Sequence, residues 1–108
     1  MASPQLERGY CRIAHEILEA LARHPLSGRQ RRILDVLFRE SYGRGQKEAL
    51  LSLTDFVRRT RISKPHVSYL LRQLGLLRVV TGARVTTIGN HQKTAWTFQK
   101  DLAATPAQ

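Results

Sequence analysis

The stretch that decides the fold runs from Thr54 to Gly75, with the sequence TDFVRRTRISKPHVSYLLRQLG. It contains start signals for two short helices, which are separated by a tight turn centred on Arg61-Ile62. Thr54 is a good N-cap for the first helix, and Asp55 in its first turn suits the positive end of the helix dipole. We therefore predict a helix from Asp55 to about Thr60.

The second helix opens at Ser63, which can cap its N-terminus, and Gly75 is the predicted C-cap. Pro65 is tolerated in the first turn because its missing N–H would have no partner there. Four aliphatic residues recur with the i, i+3, i+4, i+7 spacing of one helical face: Val67, Leu70, Leu71 and Leu74. With this stripe turned inward, a polar face without an acidic residue points outward: Pro65, His66, Ser68, Tyr69, Arg72 and Gln73.

Two more helices are predicted upstream of this pair. The first runs from Arg12 to His24 and ends at Pro25, and the second is capped by Ser27 and ends at the glycine-containing loop 42–45. The first has its apolar face at Ile13, Ile17, Leu18 and Leu21. The second has its core face at Ile33, Leu34, Leu37 and Phe38, and its outer positions include Arg29, Arg31, Arg32 and Arg39.

Short strands are predicted on both sides of the helix pair. Leu50 to Leu53 is too short for a helix and is interpreted as a strand. Downstream, a β-hairpin is predicted from strands at 77–81 and 85–88 with a turn at Gly82-Ala83, and Gly89-Asn90 closes it. Residues 94–98 alternate polar and apolar side chains and can add a further strand.

This order of elements predicts a mainly α fold with a small β-hairpin, a winged helix-turn-helix. At 108 residues the chain has the length of one domain. We expect a flexible lead-in at 1–9, the winged helix-turn-helix at 10–101 and a flexible tail at 102–108.

The charge distribution predicts a polyanionic partner. The chain has a formal net charge of +10, and no acidic residue lies between Asp55 and Asp101. Nine basic residues fall in that interval: Arg58, Arg59, Arg61, Lys64, Arg72, Arg78, Arg84, Lys93 and Lys100. Such like charges repel one another unless a polyanion neutralises them. A generally basic surface is the alternative. A membrane-surface helix is less favoured, because the charge is spread over several elements.

Several other function classes find no support in the sequence. No apolar run approaches the roughly 20 residues of a membrane span, and the N-terminus lacks the apolar segment of a secretory signal. Cys11 is the single cysteine, and the four histidines lack metal-ligand spacing. No catalytic constellation is evident. We therefore expect a cytoplasmic, non-enzymatic protein without metal or cofactor.

The predicted DNA interface is the polar face of the second helix of the pair, together with its flanks. This helix would insert in the major groove while the preceding helix crosses the phosphates, although a merely solvated face is the alternative. Arg72 can pair with guanine and Gln73 with adenine. The predicted base contacts are Lys64, Pro65, His66, Ser68, Tyr69, Arg72 and Gln73. The predicted phosphate contacts are Arg58, Arg59, Arg61, Ser63, Arg78 and Arg84.

Five segments of the chain resemble the N-terminal domain of bacteriophage replication protein O. They are residues 9–21 (GYCRIAHEILEAL), 26–30 (LSGRQ), 41–43 (SYG) followed by Lys47-Glu48, 51–54 (LSLT), and Ile62-Ser63 through His66-Val67-Ser68. The resemblance spans roughly 9–77. Each segment is short, but their order and spacing together are fairly specific.

The resemblance implies a phage or prophage replication initiator that binds repeated sites at an origin, often as a dimer, in a bacterial or phage-infected host cell. In that family a separate C-terminal region contacts a helicase loader, which would be a partner here only if such a region exists elsewhere. Two positions depart from the family pattern. Arg44 follows Tyr-Gly where the family tends to have Trp, and Arg61 stands in the turn where Gly is usual. If that turn position is left-handed, a residue other than glycine costs about 1 kcal/mol.

Two alternative functions use the same fold. A transcriptional regulator would bind promoter DNA instead of origin repeats. A winged-helix protein-interaction module would bind DNA weakly even at low salt, and the uninterrupted basic series argues against it.

Overall fold

The computed structural model describes residues 9–88 and 91–99, without the side chains of 84–88 and 91. The elements in chain order are α1 (His15–Arg23), α2 (Gly28–Glu40), a 3-10 turn (Tyr42–Arg44), β1 (Glu48–Leu51), α3 (Leu53–Thr60), α4 (Lys64–Leu76), β2 (Val80–Ile88) and β3 (His91–Phe98). Apart from Gly9, the predicted lead-in and tail lie outside the described residues. In the described part of the chain, no helix is both long and apolar enough to cross a membrane.

The architecture is a winged helix-turn-helix, as the sequence predicted. The sheet is antiparallel with the strand order β1–β3–β2, so that the last of the described strands lies in the middle. Leu51 of β1 pairs with Thr94 of β3, and Val80 of β2 pairs with Phe98 of β3. The β2–β3 hairpin is the wing. The further strand predicted at 94–98 is therefore confirmed, as the C-terminal part of β3.

The core forms between α2, α4 and the sheet. All predicted apolar residues of these two helices are buried: Ile33, Leu34, Leu37 and Phe38 on α2, and Val67, Leu70, Leu71 and Leu74 on α4. Phe56 of α3 and Phe98 of β3 are fully buried beside them, and Phe98 meets Phe38 edge-on at 5.1 Å between ring centroids. Burial of one such side chain contributes about 1.5–3 kcal/mol. This packing fixes the position of α4.

The first helix is shorter and less buried than predicted. It begins at His15 and not at Arg12. Ile17 and Leu21 are buried, but Leu18 is 46% exposed. Since few residues of the other elements pack against α1, its apolar spacing does not translate into a fully buried face.

The strand and cap around residue 52 differ from the prediction. The strand β1 ends at Leu51, and Ser52, not Thr54, is the N-cap of α3. The Ser52 hydroxyl accepts the Asp55 N–H at 3.1 Å, and the Asp55 carboxylate accepts the Ser52 N–H at 2.9 Å. This reciprocal capping box satisfies two N–H groups at once, which a cap at Thr54 would not.

The predicted turn at Gly82-Ala83 is wrong, because both residues lie within the single strand β2. A Cβ at Gly82 would stand 2.9 Å from Cζ3 of Trp96, so glycine is needed there for close approach of the ring. The register with β3 shifts between Ala83 and Val85, which places a bulge near Arg84. Arg84 is thus part of a strand and not of a hairpin tip.

The C-terminus of α4 also differs from the prediction. The helix continues through Gly75 to Leu76, and Arg78 carries the left-handed conformation, with φ 59°. The Val79 N–H donates to the Leu74 carbonyl and the Arg78 N–H to the Gly75 carbonyl, at 2.9 and 3.0 Å. These two bonds form a Schellman motif, for which glycine is the usual left-handed residue. The motif was not predicted because arginine, and not glycine, stands at that position.

Candidate nucleic-acid interface

The turn between α3 and α4 determines the orientation of α4. Arg61 has φ 60° and lies in the left-handed region, and its N–H donates to the Val57 carbonyl at 2.8 Å. The Thr60 hydroxyl donates to the Phe56 carbonyl at 2.6 Å and accepts the Ile62 N–H at 3.2 Å. These hydrogen bonds hold the three-residue turn 61–63 in place although it contains no glycine.

Helix α2 reinforces this turn from the opposite side. The Arg32 guanidinium donates to the carbonyl of Thr60, the last residue of α3. A cation at a helix C-terminus also interacts favourably with the helix dipole. Arg32, expected to be a solvated outer residue, therefore connects α2 to the turn that orients α4.

The N-terminus of α4 has no side-chain cap. Helices α2 and α3 begin with complete capping boxes, Ser27 with Gln30 and Ser52 with Asp55. The Ser63 side chain makes no cap hydrogen bond, and Pro65 in the first turn has no N–H to donate. The remaining first-turn N–H groups have no partner within the helix, which is the arrangement that binds phosphate at helix N-termini.

The outer face of α4 is partly covered by α2. His66, Ser68 and Gln73 are half-buried, whereas Tyr69 and Arg72 are exposed. The predicted base contacts Lys64 and Pro65 are exposed as well. The residues predicted to face bases thus lie on one helix, but only part of that face is open.

Two contacts between α2 and α4 account for the partial burial of this face. Arg29 Nη1 of α2 lies 3.2 and 3.3 Å from the two ring nitrogens of His66. Gln30 donates to Gln73 at 3.4 Å, and Gln73 donates to the Tyr69 hydroxyl at 3.0 Å. The N-terminus of α2 therefore belongs to the same surface as α4.

Arg29, Gln30 and Arg32 were not among the residues predicted for this surface. The spacing Ser27-x-x-Gln30 was the available signal, because it marks a capping box and fixes where α2 starts. Contacts across 37 or 43 residues of sequence have no local signature.

The basic residues predicted to contact bases or phosphates fall into two groups. Arg58 and Arg59 are paired with carboxylates, Arg58 with Asp55 at 3.2 Å and Arg59 with Glu40 at 2.6 Å. They line a depression of about 350 Å³ between α3 and the sheet, here named the ion-pair pocket. Its charged residues are Glu40, Arg44, Asp55, Arg58, Arg59 and Lys93.

The second group has no carboxylate partner. Among the residues that the structure describes, no acidic side chain pairs with Arg61, Lys64, Arg72 or Arg78, and all four are exposed. Arg61 precedes α4 and Arg78 follows it, so both ends of the helix carry a free guanidinium. The side chain of Arg84 lies outside the described residues.

The carboxylates of the ion-pair pocket stay ionised to lower pH than usual. Burial raises the pKa of Glu40, but hydrogen bonds from Arg59 and Arg44 outweigh it, so that its pKa lies below the ordinary 4.5. Burial likewise raises the pKa of Asp55, and hydrogen bonds from the Ser52 N–H and Lys93 lower it below 3.8. Both groups therefore hold their cations at neutral pH.

A comparison with protein-family models finds a match over most of the chain. A family model described as bacteriophage replication protein O matches residues 3–97 of the chain. A comparison with curated proteins finds no match. In the described ranges, no group of three or more histidine, cysteine, aspartate or glutamate side chains is placed to hold a metal ion.

Proposed function

Because the chain belongs to the bacteriophage replication protein O family, and so has a role in phage DNA replication, we propose that it binds double-stranded DNA at repeated sites of a phage-type origin. This binding would be sequence-specific and would initiate replication without catalysis by this chain. The observation that carries the proposal is the set of unpaired cations on and around α4. An unpaired cluster of like charge on a folded domain is stabilised when a polyanion binds.

In this mechanism α4 lies in the major groove. Its exposed face offers Arg72, whose two-pronged guanidinium matches the O6 and N7 acceptors of guanine. Gln73 would face adenine, and Gln30 orients its amide. The remaining proposed base contacts are Lys64, Pro65, His66, Ser68 and Tyr69.

Phosphates would bind at both ends of α4. The uncapped N-terminus with Ser63 offers backbone N–H groups, and Arg61 and Arg78 offer guanidinium groups on either side. Arg29 lies beside His66 and extends this surface along α2.

Arg58 and Arg59 would reach phosphates by exchanging partners. The Arg58 side chain is 71% exposed, and ion pairs of such exposed groups contribute only about 0–1 kcal/mol, so a DNA phosphate can replace its carboxylate at small cost. Arg59 is 34% exposed and its partner Glu40 only 14%, so the exchange at Arg59 costs more. Arg84 on the wing completes the proposed phosphate contacts.

The most direct test is selection of bound DNA from a random pool, followed by mapping of the selected sequence. Iterated sites within a replication origin would support the proposal, and symmetric half-sites would indicate a homodimer. Sites in promoters would instead favour a transcriptional regulator. If no sequence is enriched and DNA binding is weak even at low salt, the proposal is wrong and a protein-interaction module is favoured.

Arg72→Ala tests the position of α4 in the groove. The variant should lose about 1–3 kcal/mol of affinity for the selected site and discriminate less at one base pair. Arg39→Ala, which removes the same charge from the outer face of α2, should retain the sequence preference. Unchanged preference in Arg72→Ala would show that another face of α4 meets the bases.

A further inference from the structure

A second cleft lies at the other end of α2, away from α4. It has a volume of about 510 Å³ and is formed where the segment before α1 meets the 3-10 turn. Tyr10 and Arg12 contribute from the segment, and Tyr42, Gly43 and Lys47 contribute from the turn and the chain that follows it. We name it the tyrosine cleft.

The walls of the tyrosine cleft are fixed by packing. Tyr42 is stacked on the core residue Phe38, with 5.7 Å between ring centroids and 14° between the ring planes. A Cβ at Gly43 would stand 3.2 Å from the Sγ of Cys11, so the absence of a side chain lets the two chain segments approach. One aromatic wall is therefore rigid, and the opposite wall lies close to it.

The other wall is open and aromatic. Tyr10 is 54% exposed, and the Arg12 guanidinium carbon lies 5.8 Å from the centroid of its ring. The charged residues that line the cleft, Arg12 and Lys47, are both cationic, and none of the described lining residues is acidic. Flat apolar surfaces beside positive charge suit a ligand with a π-face and a negative group.

We propose that the tyrosine cleft binds a base of single-stranded DNA, whose neighbouring phosphates meet Arg12 and Lys47. Aromatic and arginine faces stack on any base, and cations that follow the backbone supply the remaining affinity. The volume lies within the range of about 300–1,000 Å³ that is usual for small-ligand sites, so that one nucleotide fits. Gln46 lines both this cleft and the ion-pair pocket, where Arg44 is paired with Glu40 at 2.9 Å.

The tyrosine cleft is distinct from the proposed base-contacting face of α4. Arg29, near the start of α2, contacts His66 of α4, whereas the cleft follows the end of α2. A helix of 13 residues is about 20 Å long, which is about half of the longest dimension of the molecule, 40 Å. The cleft and the face of α4 can therefore be tested separately.

The test is a fluorescence anisotropy titration of the full chain with three probes: a short labelled oligothymidine, an abasic strand of equal length, and the selected duplex. The abasic strand carries the same phosphates but has no bases to stack. Wild type should bind oligothymidine on the order of tenfold more tightly than the abasic strand, because stacking on an aromatic side chain contributes that much per base. Tyr10→Ala should lose this preference, and Tyr10→Phe should keep it.

Tyr69→Ala is the matched control, since Tyr69 is exposed to a similar extent, 51%, but lies on α4. It should weaken duplex binding and leave the preference for oligothymidine intact, whereas Tyr10→Ala should do the reverse. Lys47→Ala removes a cation without touching the aromatic walls, so it should weaken both single strands equally.

Equal affinity for the oligothymidine and the abasic strand in wild type would overturn the proposal, since no base would be bound. The same holds if Tyr10→Ala keeps the preference, which would leave the cleft to another occupant such as a peptide. Loss of duplex binding has no bearing on these outcomes, because two of the three probes contain no duplex.

Discussion

At the scale of single residues, Arg61 and Arg78 are the most informative positions. They are the non-glycine residues with positive φ in the described part of the chain, and they stand immediately before and after α4. A left-handed conformation costs about 1–2 kcal/mol for a residue with a Cβ. Strain of this kind persists where the surrounding structure holds it, and the proposed phosphate binding would give both guanidinium groups a use.

Arg61→Gly should therefore stabilise the protein and weaken its binding to DNA. The gain should be about 1 kcal/mol in the free energy of unfolding, because glycine adopts the left-handed region without strain. Affinity should fall to a similar extent for all duplexes, since a phosphate contact is lost and no base contact. Urea denaturation and DNA titration measure the two effects.

Arg61→Ala separates strain from charge. Alanine keeps the Cβ and thus the strain, so this variant should lose affinity without gaining stability. If Arg61→Gly binds DNA as tightly as wild type, Arg61 does not contact phosphate and its conformation needs another explanation.

At the scale of elements, the fit between the wing strands depends on Gly82. Because a Cβ there would meet the Trp96 ring at 2.9 Å and the Thr94 methyl at 3.2 Å, Gly82→Ala should destabilise the fold by about 1–3 kcal/mol. Gly75→Ala is the matched control, since nothing lies within 4 Å of a Cβ in the helix at that position. It should stabilise by about 0.5–1 kcal/mol. Equal effects in urea denaturation would contradict the close approach.

The ion pairs that join α2, α3 and β3 should make stability depend on pH. The folded-state pKa of Glu40 lies below 4.5 and that of Asp55 below 3.8. Their stabilisation is present above these ordinary values and is lost as the pH falls through the lower folded-state values. The free energy of unfolding should drop between about pH 5 and about pH 2.

Glu40→Gln should reduce this drop, because glutamine does not titrate. Arg59→Ala should reduce it too, since it removes a hydrogen-bond donor that lowers the pKa of Glu40. Chemical denaturation at a series of pH values measures the difference. A drop of the same size in Glu40→Gln would assign the acid sensitivity to other groups.

At the scale of the whole molecule, the net charge of +10 should govern association with DNA. Each phosphate neutralised contributes about −0.9 to the slope of log affinity against log salt, so contacts from five arginines predict a slope of about −4 to −5. A slope near −3 would indicate that Arg58 and Arg59 stay with their carboxylates. An affinity that barely changes with salt would argue against duplex binding altogether.

Most features that depend on nearby residues were predicted correctly, whereas features that depend on distant residues were not. The stripe of α4 was predicted residue by residue, and that of α2 was predicted except for Gln30 and Val36, because helical spacing repeats within a few residues and both helices are buried along one side. The turn at Gly82 was wrong, since glycine was interpreted as a turn former and the Trp96 ring that requires it lies 14 residues away. The contacts of Arg29 and Arg32 and the pairing of Arg59 with Glu40 were not predicted for the same reason, since their partners are also distant in the sequence.

The sequence by itself determined the winged helix-turn-helix, the place of α4 in it and the excess of positive charge, because periodicity, caps and composition are local properties. Only the tertiary structure decided that Arg59 is paired, since its carboxylate partner Glu40 lies on α2, whereas Arg61 and Arg78 have no carboxylate partner in the described part of the chain. Ion pairing and the burial of a helix face depend on contacts between residues that are far apart in the sequence. The helix α4 was therefore predicted from the sequence. The solvent exposure of its outer face was not, because it depends on how α2 packs against α4.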